Sequence, residues 1–391
     1  MIDTAASSLF RRSLAVLAFC CALPYSHAAA PRSLPVSQLN EQVVMIPAGP
    51  GQGVSLETTV FKPDGDGPFP LLVINHGKAP GDPKMQQRDR FVYMASAFVR
   101  RGYAVMVPMR TGFAHSTGRY IDHGCDMTAN GYTQANDVRD AIRYARGQSW
   151  VDPQRIVVAG QSYGGLATMA LATQEIPGVR GVMNFAGGLR VHGGPCDWQD
   201  ALVRAFGDYG RRSKIASLWM YGANDSYFGP ELVERMHQAY TKAGGKAQLV
   251  AYGDFKRDAH TMLASREGEK VWLPEAERFL ARIGMPAREK FAVAAEAPVQ
   301  APTEYAALDD VEAIPYLAGK GRAEYKAFLQ RQLPRAFAVS PTGAWGWAEE
   351  GEDPRGSALA ACQTKSQQPC QLYSVDDYVV WRALATTGRT E

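Results

Sequence analysis

From residue 42 onward the chain alternates short, wholly apolar runs with longer amphipathic stretches, and no other property constrains its fold as tightly. The runs LLVIN (71–75), AVMV (104–107), IVVA (156–159), 182–185, LWMY (218–221) and 248–252 are continuous rather than alternating. They predict parallel strands buried on both faces. Between them, 90–101, 135–148, 165–174, 198–211, 230–243 and 267–282 read as crossover helices. Segments 42–47 and 56–62 predict a leading hairpin. The class is therefore α/β, with a doubly wound, mostly parallel sheet of eight strands.

The texture changes at both ends. Arg11 and Arg12 precede an apolar run at 14–23, followed by Pro24 and the small residues Ala28, Ala29 and Ala30. That order predicts a cleavable signal peptide over 1–30. The run is too short to span a bilayer, so no stable membrane insertion is expected after cleavage. Residues 31–284 form the expected catalytic domain, and an Ala/Pro-rich stretch at 285–303 reads as an extended, poorly packed linker. Residues 304–391 form a small α+β unit. There, 309–317 and 323–331 read as helices, 336–340 and 344–348 as a hairpin about Pro341-Thr342-Gly343, and Pro354 as a helix start. Segment 370–381 reads as a last strand or pair.

Export bears on the cysteines. Cys20 and Cys21 leave with the signal, and Cys125, Cys196, Cys362 and Cys370 remain, an even set suited to disulfides. Three pairings are possible; the simplest joins 125 to 196 and 362 to 370. The first of these is expected to tie down the rim of the pocket. A metal reading of Asp122, His123, Cys125 and Asp126 lacks the spacing of paired ligands, so no metal and no cofactor are expected. The formal charge of +3 is spread along the chain and selects for no nucleic acid.

The chemistry centres on Gly160-Gln161-Ser162-Tyr163-Gly164, between the IVVA strand and a small-residue helix. A sharp turn there lifts the Ser162 hydroxyl above the sheet, and flanking glycines let the backbone pass. A serine needs a base, and the base needs an orienting carboxylate. Downstream lie His192, His237 and His260. His237 falls mid-helix and His192 precedes the Asp-bearing strand, so His260 is the base by elimination. Asp225 follows the LWMY strand, at the carboxyl end where open sheets build sites; Asp258 reads as a loop cap and Asp254 as a weaker competitor. Two amides are expected to hold the oxyanion, that of Tyr163 at the helix start and that of Lys78 in Asn75-His76-Gly77-Lys78. His76 reads as a packed loop histidine.

These residues resemble the α/β-hydrolase superfamily, in particular its dienelactone-hydrolase-like and prolyl-oligopeptidase-like branches. The likeness covers about 42–283 and rests on HGK at 76, Arg110-Thr111-Gly112, GQSYGG at 160, GANDSYF at 222 and His260. It implies an eight-stranded core, the triad Ser162, Asp225 and His260, and hydrolysis through an acyl-enzyme. Dienelactone hydrolases proper use cysteine where this chain has Ser162, which shifts the expectation from lactones to carboxylic esters. The C-terminal unit looks like a small cysteine-bearing module appended to exported bacterial proteins, with Trp345 and Trp347 read as core.

The expected function is an exported esterase, periplasmic or secreted, acting on a small-molecule ester. A prolyl-oligopeptidase-like peptidase is the alternative, and a non-catalytic envelope binding protein a third reading. With no room for a large helical cap, a fairly open pocket is expected, lined by Phe113, Tyr132, Trp198, Tyr227 and Phe228.

Overall fold

The computed structural model describes residues 33–34, 39–191, 196–293, 301–331, 334–349 and 354–382. The expected signal over 1–30, His192 and residues 294–300 of the expected linker lie outside them.

Eight strands form one sheet: β1 (Gln42–Ala48), β2 (Val54–Phe61), β3 (Phe69–Asn75), β4 (Ala104–Pro108), β5 (Val151–Gln161), β6 (Val179–Phe185), β7 (Ala216–Tyr221) and β8 (Lys246–Ala251). Their order is β1-β2-β4-β3-β5-β6-β7-β8. The pairs β1–β2 and β2–β4 are antiparallel and the others parallel. This is the α/β-hydrolase fold. The order reverses around β3, so the carboxyl ends of β3 and β5, with Asn75 opposite Gly160, flank the crevice where such sheets bind ligands.

The apolar runs of β3 to β7 are buried on both sides, as their lack of alternation requires, whereas the run at 248–252 lies in the edge strand β8 and is only partly buried. In β3, Leu71 and Val73 enter one core and Leu72 and Ile74 the other, all fully buried. Helices α2 (Met127–Arg146), α3 (Tyr163–Leu171), α4 (Trp198–Arg212) and α5 (Pro230–Lys242) cover the first face. Helices α1 (Val92–Arg100) and α6 (Glu269–Arg282) cover the second, with Phe98, Trp272 and Phe279 at its centre.

A second, four-stranded antiparallel sheet has the order β10-β9-β11-β12, from β9 (Arg335–Val339), β10 (Trp345–Glu349), β11 (Gln371–Val375) and β12 (Tyr378–Val379). Helices α7 (Lys320–Phe328) and α8 (Pro354–Gln363) pack on it. Tyr325, Phe328, Phe337 and Tyr373 make its aromatic core. Trp345 stacks near-parallel on Phe337, and the Trp347 indole N–H donates to Glu324.

Three expectations need correction. Segment 309–317 is not helical: the Asp310 carboxylate accepts the Glu312 and Ala313 N–H groups in a local turn, and Pro315 has none to give. Helix α2 begins well before residue 135, capped by the Asp126 carboxylate on the Ala129 N–H. The start of the Ala/Pro-rich stretch is docked rather than loose, with Met285 buried and the Lys290 and Phe291 N–H groups donating to the Arg100 carbonyl.

Cys125 is bonded to Cys196 and Cys362 to Cys370, with Cα separations of 5.9 and 6.1 Å. Among the described residues no helix is long and apolar enough to cross a membrane.

Candidate active site

Ser162 sits between β5 and α3 with φ +54° and ψ −124°, a conformation that costs a non-glycine residue roughly 1–3 kcal/mol. Backbone bonds hold it there: its N–H donates to the Phe185 carbonyl, and its own carbonyl accepts from Gly165 and Gly188. Gly164 is required by contact, since a Cβ there would lie 2.1 Å from the Asn75 carbonyl oxygen. The start of α3 is thereby pressed against the end of β3. A Cβ on Gly77 would come within 3.3 Å of the Ser162 Cβ, so the loop after β3 lies directly against the serine.

Asp225 follows β7 and its carboxylate is fully buried. Its Oδ1 accepts the Tyr227 and Phe228 N–H groups at 2.8 and 2.9 Å. The His260 Nδ1 lies 3.2 and 3.1 Å from its two oxygens. An ionised carboxylate offers no donor, so Nδ1 carries the proton and Nε2 is left as the basic nitrogen. Tyr227 packs over the imidazole, ring centroids 4.4 Å apart. Asp258 accepts from the His260 N–H and from the backbone and hydroxyl of Ser226, and so ties the histidine loop to the aspartate loop. The Gln161 side chain donates to the His260 carbonyl at 2.8 Å. Ser162 and His260 face one cleft of about 650 Å³ without a hydrogen bond between them, and catalytic hydrogen bonds are often long in unliganded enzymes.

The loop after β3 is held from behind. His76 is fully buried, and its Nε2 accepts the Arg110 N–H at 3.0 Å, so Nδ1 is the protonated nitrogen and donates to the Gly77 carbonyl at 2.6 Å. Burial and the Arg110 charge hold its pKa well below the usual imidazole range, so the ring is neutral. Arg110, also fully buried, donates to the carbonyls of His76 and Gly77 and to Gln134. Desolvation lowers its pKa to about 10, which leaves it charged at neutral pH. Asp89, half-buried beside the cleft, accepts from Gln86, and desolvation raises its pKa to about 6.

Of the five aromatic residues expected at the pocket, Tyr227 lines the cleft. Phe113 is fully buried against His76 and Tyr120, and Phe228 is buried beside His260. Tyr132 packs on Tyr209, and Trp198 on Phe228. The Cys125–Cys196 bridge joins the starts of α2 and α4 and does not line the cleft. Nor is the site bounded by the catalytic domain alone, because residues of β10 and α8 close one side. The sequence reading missed Gln86, Asp89 and the working role of Arg110. The available signal was an arginine just past the carboxyl end of β4, next to the switch point.

A family model described as X-Pro dipeptidyl-peptidase (S15 family) matches residues 52–205. That stretch contains Lys78, Arg110 and Ser162 and ends before Asp225 and His260. The chain is 28% identical over 144 residues to cocaine esterase of Rhodococcus sp. (strain MB1 Bresler), covering 36% of this chain and 22% of that protein. It is 29% identical over 122 residues to the quorum-quenching protein AidA of Acinetobacter baumannii (strain MDR-ZJ06), covering 31% of this chain and 37% of that protein. It thus spans well under half the length of either curated relative. Among solved structures, the Pyrococcus furiosus esterase Pf2001 aligns with a TM-score of 0.46 and 13% identity, over 64% of this chain and 98% of that one. Est1E from Butyrivibrio proteoclasticus, solved with ferulic acid bound, aligns with a TM-score of 0.45 and 18% identity, over 62% and 99%.

Proposed function

We propose that this chain, a member of the α/β-hydrolase superfamily of serine hydrolases, is an exported enzyme that cleaves small carboxylic esters with Ser162, His260 and Asp225. The observation that carries this is the pairing of the His260 Nδ1 with both oxygens of buried Asp225, while its ring shares a cleft with the strained Ser162. The His260 Nε2 takes the Ser162 proton as Oγ attacks the ester carbonyl. The resulting oxyanion is met by the Lys78 and Tyr163 amides. The C–O bond to the alcohol breaks and His260 protonates the departing oxygen. Water, deprotonated in turn by His260, releases the acid and restores Ser162. Asp225 keeps the imidazole in the required tautomer and offsets its charge.

The esterase named among the relatives supports ester cleavage. The two disulfides and the N-terminal pattern support export to the periplasm or the medium. A peptidase is the second reading, favoured by the family match over 52–205. Turnover of an aryl ester and of an X-Pro dipeptidyl amide, by the wild type and by Ser162→Ala, separates them. The expected result is ester turnover that falls by about a thousandfold or more in the variant. A higher kcat/KM for the amide would make the enzyme a peptidase. A melting shift with an ester ligand and no turnover by the wild type would make it a binding protein.

A further inference from the structure

The C-terminal unit reaches the catalytic cleft. Ala348 and Glu349 of β10 and Gly356, Ser357 and Ala360 of α8 line the same 650 Å³ space as Ser162 and His260. Ser357 and Ala360 stand three residues apart, on one face of α8. The other face, with Ala358 and Cys362, is buried against β9 to β11, and the Cys362–Cys370 bond secures its end. This wall is attached to both loops that border the cleft. The Ser357 hydroxyl donates to Gln87 at 2.9 Å, on the segment that follows the Lys78 loop. On the histidine side, Asp377 bonds Arg257 at 3.1 Å and the buried Arg335 at 3.0 Å.

The charged side chains lining the cleft are held by protein groups, four of them in ion pairs and Lys78 and Asp89 by neutral partners, Asp89 by Gln86. Arg88 and Arg90 both pair with Glu41, Glu349 pairs with Arg331, and the Lys78 ammonium is bound to the Ala79 and Gly81 carbonyls. Pro80, Met85, Phe91, Ala348 and Ala360 contribute apolar surface. We propose that the C-terminal unit forms the far wall of the substrate site, and that α8 and β10 receive an uncharged, bulky portion of the ester remote from the scissile bond. This rests on the esterase reading and adds the substrate class and the part of the chain that selects it.

The test uses the full chain. Ala360 is exposed and lines the cleft, so Ala360→Trp adds bulk to the cleft from its far wall. Ser357→Leu does the same from the neighbouring position. In both variants kcat/KM for 4-nitrophenyl decanoate or 2-naphthyl acetate, relative to 4-nitrophenyl acetate, is expected to fall by about tenfold or more. Fluorophosphonate labelling of Ser162 is expected to persist in both variants, and acetate turnover to fall far less than turnover of the bulky esters. Unchanged ratios in both variants, or an equal loss on all esters, would overturn the proposal while leaving the labelled serine intact. Loss of labelling and of all ester turnover in the wild type would instead defeat the esterase reading. The wild type is also expected to prefer the decanoate to a chain of equal length ending in a carboxylate, and the opposite preference would overturn the uncharged assignment.

Discussion

Pinning the Gly77 carbonyl decides where the Lys78 amide points, because both belong to one planar trans peptide and face opposite ways. Three donors converge on that carbonyl, from His76, Arg110 and Gln86. We therefore predict that Arg110→Gln lowers kcat by about a hundredfold, the scale of losing one oxyanion donor, with KM nearly unchanged. A matched rise in KM with intact kcat would place Arg110 in ground-state binding instead. Asp89 gives a second prediction at this scale. Its pKa rises from 3.8 unfolded to about 6 folded, so the native state holds the proton more tightly and stability falls as pH rises through that window. The melting temperature of Asp89→Asn minus that of the wild type is expected to grow between pH 4 and 7; a constant difference would contradict the assignment. Ser162 and the order serine, aspartate, histidine were legible in the sequence because a turn motif and strand ends mark them locally. The contacts that aim the peptide between Gly77 and Lys78 were not, since His76, Gln86 and Arg110 meet only once β3 and β4 pair.

Elements buried on both faces were the most legible, because a continuous apolar run between two turn signals has few other places to go. Strands β3 to β7 follow this rule, while the edge strands β1 and β8 keep exposed residues, and the helix boundaries shift by cap chemistry, as at Asp126. The failure at 309–317 has the same kind of cause in reverse. A local carboxylate-to-backbone turn at Asp310 competes with the helix, and Pro315 then removes a donor. The turn from β5 into α3 carries the prediction at this scale. Gly164→Ala drives a methyl into the Asn75 carbonyl and is expected to cost about 1–3 kcal/mol or more and to displace Ser162. Urea denaturation and ester turnover should both report it, and a variant with wild-type stability would mean that the helix start can move away from β3.

The whole molecule is held by covalent as well as apolar ties. The Cys125–Cys196 bond closes 71 residues and the Cys362–Cys370 bond 8, which by chain entropy correspond to about 4 and about 2.5 kcal/mol. Replacing each pair by serine should lower the urea midpoint in that order. The Cys362/Cys370 variant should also lose discrimination between bulky and small esters, because its helix forms the far wall of the cleft. That a unit more than three hundred residues into the chain lines the same cleft as Ser162 was not legible in composition or spacing. It depends on scattered contacts such as Ser357 with Gln87 and Arg257 with Asp377, which leave no periodic trace. The central claim is that Ser162 is an activated nucleophile, and covalent labelling tests it most directly. A fluorophosphonate applied to the folded, full-length protein, followed by peptide mapping, should modify Ser162 alone, and His260→Ala should abolish the modification. Folded wild-type protein that takes no label at Ser162, or takes it equally without His260, would contradict the account.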